Sequence, residues 1–389
     1  MINNIFKIIV VYFAFFLQFI DYLYIGTNII NLSLFGALST IVMFYLLFDY
    51  ISTPCNKYIK FMVLTYFLLL GLNMVFIQKL PFGSLARWGI PIILLVSVDN
   101  YTIQKCKPIF YFLLLFFVIN TCIAYYERIT CTYLFEVDIY DEMMQGQVNI
   151  GENAQSSFRS FALLGHPLWN ANIIAFMSVI IYFSDFLTSK VRIPLAFLGY
   201  GSLYCFNARM AIIVSSMLAV YLFLKGYGKS RKKYFYIFWG IIVTFVVFMN
   251  FDKFGGRLLD EEIGIDDNSS MVRILTIEEF LSVPFNDLLV GGYNYSYGEN
   301  GLLQILMTFG LIIGGYKLYT EFILCYNGIC FKERYKKWSI FISFLGIAIS
   351  NNNLVMPRFI FFYAISILFI LRYSQIQQNK GIEYENIYN

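Results

Sequence analysis

The chain has 389 residues, of which 59% are hydrophobic, 20% are aromatic and only 13% are charged. A soluble domain of this length could not cover so much apolar surface with so few polar side chains. The formal net charge is only +4, and no nucleic-acid partner is expected. The composition therefore excludes a soluble globular protein and predicts an integral membrane protein.

Apolar runs long enough to cross about 30 Å of hydrocarbon, at about 1.5 Å per residue, recur along the whole chain. They lie near residues 5–20, 28–48, 60–78, 81–98, 109–125, 171–187, 193–206, 210–225, 234–250, 300–318, 338–350 and 359–372. Several are short, so the count is eleven or twelve. The first run has no small-residue cleavage site and is interpreted as a retained span. The predicted fold class is an all-α polytopic membrane protein forming a single transmembrane domain.

The positions of Lys and Arg predict the orientation of the spans, because basic loops stay on the cytoplasmic side. Basic stretches at 225–233 and 332–337 must lie inside, which with twelve spans also places both termini in the cytoplasm. Two long polar segments, 126–170 and 251–299, are then external loops. In the second, the stretch SSMVRILTIEEFLSVPF predicts an amphipathic helix lying on the bilayer surface.

Arginine dominates the external basic residues, whereas lysine dominates the cytoplasmic ones. The predicted cytoplasmic side holds about nineteen basic residues, fifteen of them Lys, and the external side holds nine, seven of them Arg. A guanidinium binds phosphate oxygens in a planar fork that an ammonium cannot match. The external arginines are Arg87, Arg128, Arg159, Arg209, Arg257, Arg273 and Arg358. Convergence of several of them on one face would predict a site for a phosphate-bearing ligand.

Arg87 lies nearly two turns into a predicted span that also contains Pro91. A charge at that depth is expensive and is by default a functional candidate. The alternative is that Arg87 reaches the interface, where Trp88 anchors the helix. Both interpretations remain open from the sequence.

The first external segment ends in RSFALLGHPLWNANIIAF. Arg159, His166 and Asn170 directly precede a span there, and the Gly-His-Pro turn would bring its polar groups to the same outer level as Arg209. A lone histidine beside a proline at a helix entrance is more often a hydrogen-bonded cap than a catalyst, so His166 has two interpretations. Neither a disulfide framework nor a metal site is expected, because the seven cysteines lack C-x-x-C spacing and His166 is the only histidine.

Three stretches together carry a family resemblance. RSFALLGHPLWNANIIAF and YCFNARMAIIVSSMLAV are followed by SSMVRILTIEEFLSVPFNDLLVGGYNYSYGENGLLQILMTFGLIIGG, in which Glu299-Asn300 opens an apolar run. In order and spacing they resemble the central region of the O-antigen polymerase and O-antigen ligase family of bacterial envelope glycosyltransferases. The resemblance covers residues 159–315. It implies an architecture like that of GT-C type glycosyltransferases, with about twelve transmembrane helices.

The resemblance implies a multi-pass enzyme of the bacterial inner membrane with its site on the periplasmic face. Its partners would be donor and acceptor glycans on undecaprenyl pyrophosphate, the lipid bilayer and a chain-length regulator protein, and it would need no metal or other cofactor. Arg87, Arg159, Arg209, Arg273 and Arg358 would bind the donor pyrophosphate, since guanidiniums stabilise the charge that develops on a departing diphosphate.

Glu299 occupies the position that is histidine in many ligases of this family, and it is expected to be the catalytic base for the acceptor hydroxyl. The alternative is that Glu299 caps the following helix and interacts with its dipole. His166, Asn170 and Asn300 are expected to support the site or bind substrate. The glutamate favours a polymerase that extends a lipid-linked repeat unit. A ligase acting on lipid A core and, in another class, a flippase for the lipid-linked unit remain alternatives.

Overall fold

The computed structural model describes residues 2–23, 32–135, 158–227, 268–293, 300–331, 333–348 and 352–379. Within these ranges all regular structure is helical and there is no strand. Five helices are long and apolar enough to cross a membrane, namely Asn4–Tyr22, Leu34–Ser52, Lys57–Ile77, Lys107–Thr130 and Pro357–Asn379. The chain therefore has the all-helical construction of a membrane protein.

The helices follow one another with short connections wherever consecutive residues are described. In chain order they are α1 (Ile2–Tyr22), α2 (Leu32–Ser52), α3 (Lys57–Leu72), α4 (Phe82–Ser97), α5 (Asn100–Lys105), α6 (Lys107–Thr130), α7 (Pro167–Tyr182), α8 (Ser189–Cys205), α9 (Arg209–Tyr227), α10 (Asn268–Ser282), α11 (Phe285–Val290), α12 (Gly301–Phe309), α13 (Leu311–Gly328), α14 (Arg334–Ala348) and α15 (Pro357–Ser366). Helix α3 continues as a π-helical turn, Asn73–Ile77, and α15 continues as another, Ile367–Arg372.

The predicted spans agree with these helices in part. Shorter apolar helices at Gly83–Ser97, Pro167–Tyr182 and Met210–Leu222 coincide with three further predicted spans. The predicted span at 234–250 lies outside the described residues. The predicted span at 300–318 is divided at Gly310, a glycine with a φ of 83° that separates α12 from α13. The total of twelve spans therefore stays a prediction.

The centre of the bundle is built around α4 and α15. Helix α4 packs on α2 and α15, and the α2 contact depends on two glycines. A Cβ added to Gly83 would lie 2.8 Å from the Cα of Gly36, so only a glycine allows the two backbones this close, as small residues do between membrane helices. Along Pro357–Asn379, 83% of the most apolar stretch is buried within the protein, which makes this the most enclosed of the five long helices.

The predicted amphipathic helix forms, as α10, but many of its apolar side chains face outward. Ile277 and Leu281 are 44% and 75% exposed. A small hydrophobic cluster of Val283, Leu288 and Met307 ties the segment after α10 to α12. Within residues 268–293, the described part of the predicted external segment 251–299, the chain forms α10 and α11. Placement of α10 on a bilayer surface stays a prediction.

Hydrogen bonds and close backbone contacts join residues 291–292, after α11, to residues 308–310, at the end of α12. We call this contact the clasp. Gly292 N–H donates to Thr308 O at 2.8 Å, and Asn73 Nδ2, from the π-turn after α3, donates to Phe309 O at 3.1 Å. Gly291 and Gly310 both have a φ of 83° and touch, since a Cβ on Gly291 would lie 2.3 Å from Gly310 N. These positive φ values and this close approach exclude a larger side chain.

One lysine of the predicted cytoplasmic set is instead buried within the bundle. Lys317, in α13, pairs with Glu321 one turn later at 2.9 Å, and the two side chains are 1% and 4% exposed. Tyr66, in α3, donates its hydroxyl to Glu321 Oε1 at 2.8 Å. A buried ion pair of this kind was not predicted from the count of lysines, because spacing along a helix does not reveal what the helix packs against.

Candidate functional site

The end of α1 and the first half of α4 meet in an ion pair. Asp21 Oδ1 accepts from Arg87 Nη2 at 2.9 Å, and Asp21 Oδ2 lies 2.8 Å from Arg87 Nε. The Asp21 side chain is 7% exposed and that of Arg87 is 37% exposed. Trp88 is buried, with the Nζ of Lys317 3.7 Å from its ring centroid. Trp88 therefore does not anchor α4 at an interface, and Arg87 is held by a carboxylate.

Arg358 enters the same region from the start of α15. Its guanidinium carbon lies 3.6 Å from the ring centroid of Trp169, on α7, and 6.0 Å from that of Tyr22, on α1. These are cation–π distances. Among the described residues Arg358 has no ion-pair partner and no hydrogen bond. We call the group formed by these contacts the arginine cluster, and its members are Asp21, Tyr22, Arg87, His166, Trp169 and Arg358.

His166 belongs to this cluster through its ring. The imidazole stacks on Trp169 with ring centroids 4.5 Å apart and an interplanar angle of 28°, and its Nδ1 accepts from Leu168 N–H at 3.2 Å as the N-cap of α7. Burial, reinforced by the positive charges of Arg358 and Arg159, lowers the pKa of His166 to about 3. The capping role of His166 is therefore confirmed, and a neutral ring with Nδ1 occupied is a poor proton acceptor.

Arg159 lies on a short segment that a buried carboxylate holds in place. Glu127, near the end of α6, is 1% exposed. Its Oε2 accepts from Phe161 N at 2.9 Å, from Ala162 N at 3.0 Å and from the hydroxyl of Ser160. This segment carries Arg159 into the surroundings of His166, as the electrostatic effect of Arg159 on the imidazole indicates. Glu127 thus supports the chain that leads into the cluster.

Asn170 is fully engaged within the protein. Its Oδ1 accepts from Asn120 Nδ2 at 2.8 Å, and its Nδ2 donates to Phe161 O at 2.6 Å and to His166 O at 3.0 Å. The side chain is buried, with no exposed area. Of the two roles expected for Asn170, this geometry favours support of the site over contact with substrate.

The other predicted site residues are described only in part. Arg209 and Arg273 lie on α9 and α10, but their side chains are outside the described part of the structure, as is Glu299 entirely. Asn300 is the N-cap of α12, and its Oδ1 accepts from Leu303 N at 3.3 Å. The capping role that the sequence left open for Glu299 is therefore filled by Asn300.

Three residues in or beside the arginine cluster were missed from the sequence. Asp21 follows directly on the first apolar run, and an acidic residue at a span end was a usable signal. Trp169 stands within the quoted motif, but an aromatic at the entrance of a span is usually an interface anchor. Glu127 gave no signal, because its role depends on backbone groups more than thirty residues away.

The arrangement can bind an anion. Arg87, Arg159 and Arg358 carry three positive charges and Asp21 carries one negative charge, so the net charge of these four groups is +2. His166 adds none while it is neutral. In the described ranges no group of three or more His, Cys, Asp or Glu side chains could hold a metal ion. Comparisons of the chain with protein-family models, with curated proteins and with solved structures find no match.

Proposed function

We propose that this chain is a membrane glycosyltransferase that takes a glycan from a polyprenyl diphosphate carrier and adds it to another lipid-linked repeat unit. The proposal extends the helical membrane architecture to about twelve spans, with both termini in the cytoplasm of a bacterial cell and the arginine cluster on the periplasmic face. The observation that carries it is the approach of Arg87 and Arg358, from different helices, to one end of the bundle.

Charge and geometry support a diphosphate ligand. A diphosphate that joins a lipid to a sugar has one ionised oxygen on each phosphate, which matches a net charge of +2 on the four ionised groups. Arg358 has donors that no described residue uses, and its stacking on Trp169 restricts the orientation of its planar fork. Guanidiniums fixed before the reaction stabilise charge that develops in the transition state.

The reaction requires one bond to break and one to form. The bond between the anomeric carbon and the diphosphate oxygen breaks, and its electron pair leaves with the diphosphate lipid beside the arginines. The acceptor hydroxyl oxygen bonds to the anomeric carbon, and its proton passes to a base. We keep Glu299 as the proposed base. Asp21 is less suited, because both of its oxygens already accept from Arg87.

The test is the length distribution of surface polysaccharide in a strain that lacks the native copy. We expect Arg358→Ala to leave only single repeats on an otherwise normal acceptor, and Arg358→Lys to recover little, because an ammonium lacks the fork. Arg372→Ala is the matched control, since Arg372 lies later in the same continuous helix and contacts Asn100 instead. A membrane blot confirms insertion. A wild-type ladder from Arg358→Ala would refute the proposal, and long unattached chains would indicate a ligase.

A transporter is a second candidate, and the buried Lys317–Glu321 pair favours it. Ionisable residues within membrane helices often mark transport or proton pathways. A defect in flipping would leave lipid-linked units on the cytoplasmic leaflet, whereas a polymerase defect leaves them on the opposite leaflet. Sidedness of the accumulated units in a deletion strain separates the two functions.

A further inference from the structure

Trp169 contacts two other members of the arginine cluster through its rings. Arg358 and His166 both lie against its rings, at 3.6 Å and 4.5 Å from ring centroids. Trp169 also stands in the first turn of α7, next to Asn170, whose amide makes three hydrogen bonds. The indole is therefore confined on a rigid part of the protein.

The indole N–H of Trp169 nevertheless has no acceptor in the part of the chain that the structure describes. Its Nε1 is buried and has no hydrogen-bond partner among the described residues. A buried indole N–H usually finds an acceptor, and an unsatisfied buried donor costs about 1–3 kcal/mol. Nearby, Asn120, Glu127 and Asn170 all make hydrogen bonds within the protein. A buried donor without an acceptor, beside a cationic side chain, needs an explanation.

We propose that Trp169 binds the ligand of the arginine cluster directly, donating its indole N–H to an anionic oxygen of the diphosphate. This inference rests on the proposed function and adds a binding residue to it. The indole N–H can only donate, and it stands beside a guanidinium that also only donates. The shared complement of the two groups is an oxyanion, so Trp169 and Arg358 bind neighbouring oxygens of one ligand.

Trp169→Phe separates binding from packing. Phenylalanine keeps an aromatic face for Arg358 and His166 but removes the donor. If Trp169 only packed, Trp169→Phe would bind the ligand as the wild type does. Trp338→Phe is the matched control, because Trp338 is 48% exposed and packs on Tyr326 and Phe341, away from the cluster.

The experiment is a calorimetric titration of the purified full-length protein in detergent with inorganic pyrophosphate at low salt. We expect Trp169→Phe to weaken binding about tenfold, the loss of one hydrogen bond to a charged group, with an unchanged melting temperature. Trp338→Phe should bind as the wild type does. Wild-type affinity in Trp169→Phe, with binding lost in Arg358→Ala, would overturn the role of Trp169 and leave the anion site standing.

Two further measurements keep the test decisive. If Trp169→Phe has a lower melting temperature than the wild type, the test uses NMR on the wild-type protein instead. The ¹⁵N-labelled indole signal of Trp169 must then shift when pyrophosphate is added. No shift at saturating pyrophosphate would overturn the inference.

Titrations in nanodiscs of phosphatidylcholine, with and without phosphatidylglycerol, identify the source of the oxyanion. Loss of pyrophosphate binding in phosphatidylglycerol would assign the site to a lipid headgroup and overturn the diphosphate. Failure of the wild type to bind pyrophosphate in any medium would count against the proposed function itself.

Discussion

Arg87 donates to both carboxylate oxygens of Asp21, although 66 residues separate them in the chain. The pair is asymmetric, because Asp21 is 7% exposed and Arg87 is 37% exposed. Removal of the arginine leaves a buried carboxylate without its partner, whereas removal of the aspartate leaves a cation that reaches solvent.

We therefore expect Arg87→Gln to lower the melting temperature more than Asp21→Asn does. The double variant should be more stable than Arg87→Gln alone, with a coupling energy of about 1 kcal/mol. Thermal unfolding of the four proteins in one detergent measures this cycle. Equal losses from the two single changes would show that the burial difference has no energetic effect.

Removal of one partner from the buried pair of Lys317 and Glu321 should cost more stability than removal of one partner from the Asp21–Arg87 pair. Lys317→Met leaves a carboxylate that is 4% exposed with only Tyr66 as its partner, and the expected loss is about 3–5 kcal/mol. The double change Lys317→Met with Glu321→Leu removes both charges and should restore most of that stability. Thermal unfolding in detergent tests whether the double variant has a higher melting temperature than Lys317→Met. A double variant as unstable as Lys317→Met would contradict the prediction.

His166 predicts a pH dependence of stability. Its pKa is lowered to about 3 in the folded protein, whereas an unperturbed histidine has a pKa of about 6.5. The unfolded chain therefore binds a proton first as the pH falls, and stability present above pH 6.5 is progressively lost between about pH 6.5 and pH 3, by about 2 kcal/mol from pH 7 to pH 5. His166→Asn keeps a capping acceptor but has no group that titrates here. Melting temperatures of the two proteins across this range should diverge with acidification, and parallel curves would refute the assignment.

We expect even the small change Glu127→Gln to destabilise the protein. Its two oxygens accept from the Ser160 hydroxyl and from the backbone N–H groups of Phe161, Ala162 and Leu134. In glutamine one of these oxygens becomes an amide nitrogen, which cannot accept, so at least one donor is left without its acceptor. We expect a loss of about 1.5–3 kcal/mol and faster proteolysis near residues 158–164. Glu278→Gln is the control, because Glu278 is exposed on α10. Equal protease resistance in the two variants would contradict the anchoring role.

Glu299→Gln tests the proposed base. The N-cap of α12 is Asn300, so loss of the Glu299 carboxylate does not remove the cap. We expect polysaccharide beyond one repeat to disappear while a membrane blot shows normal insertion. A normal ladder would eliminate Glu299 as the base. His166 is a poor replacement, because its ring is neutral and its Nδ1 already accepts the capping hydrogen bond.

The sequence predicted the helical membrane fold because a long apolar run has few other stable conformations. It also singled out Arg87 and Arg358, and the structure brings both near Tyr22, but their role in binding stays a prediction. It did not predict that Asp21 neutralises Arg87, since that contact depends on how α1 packs beside α4. The burial of Lys317 was missed for the same reason. The roles of Glu127 and Asn170 depend on backbone groups distant in sequence, and no local pattern encodes them.

The clasp at Gly291 and Gly310 separates helix α12 from changes in the chain before α10. Hydrogen bonds from Asn73 and Gln78 fix this point of the chain to the end of α3, whatever the length of the segment before α10. Insertions or deletions in residues 251–267 would therefore leave Asn300 and α12 in register. Such a segment can vary in length and composition without displacing the helix that Asn300 caps.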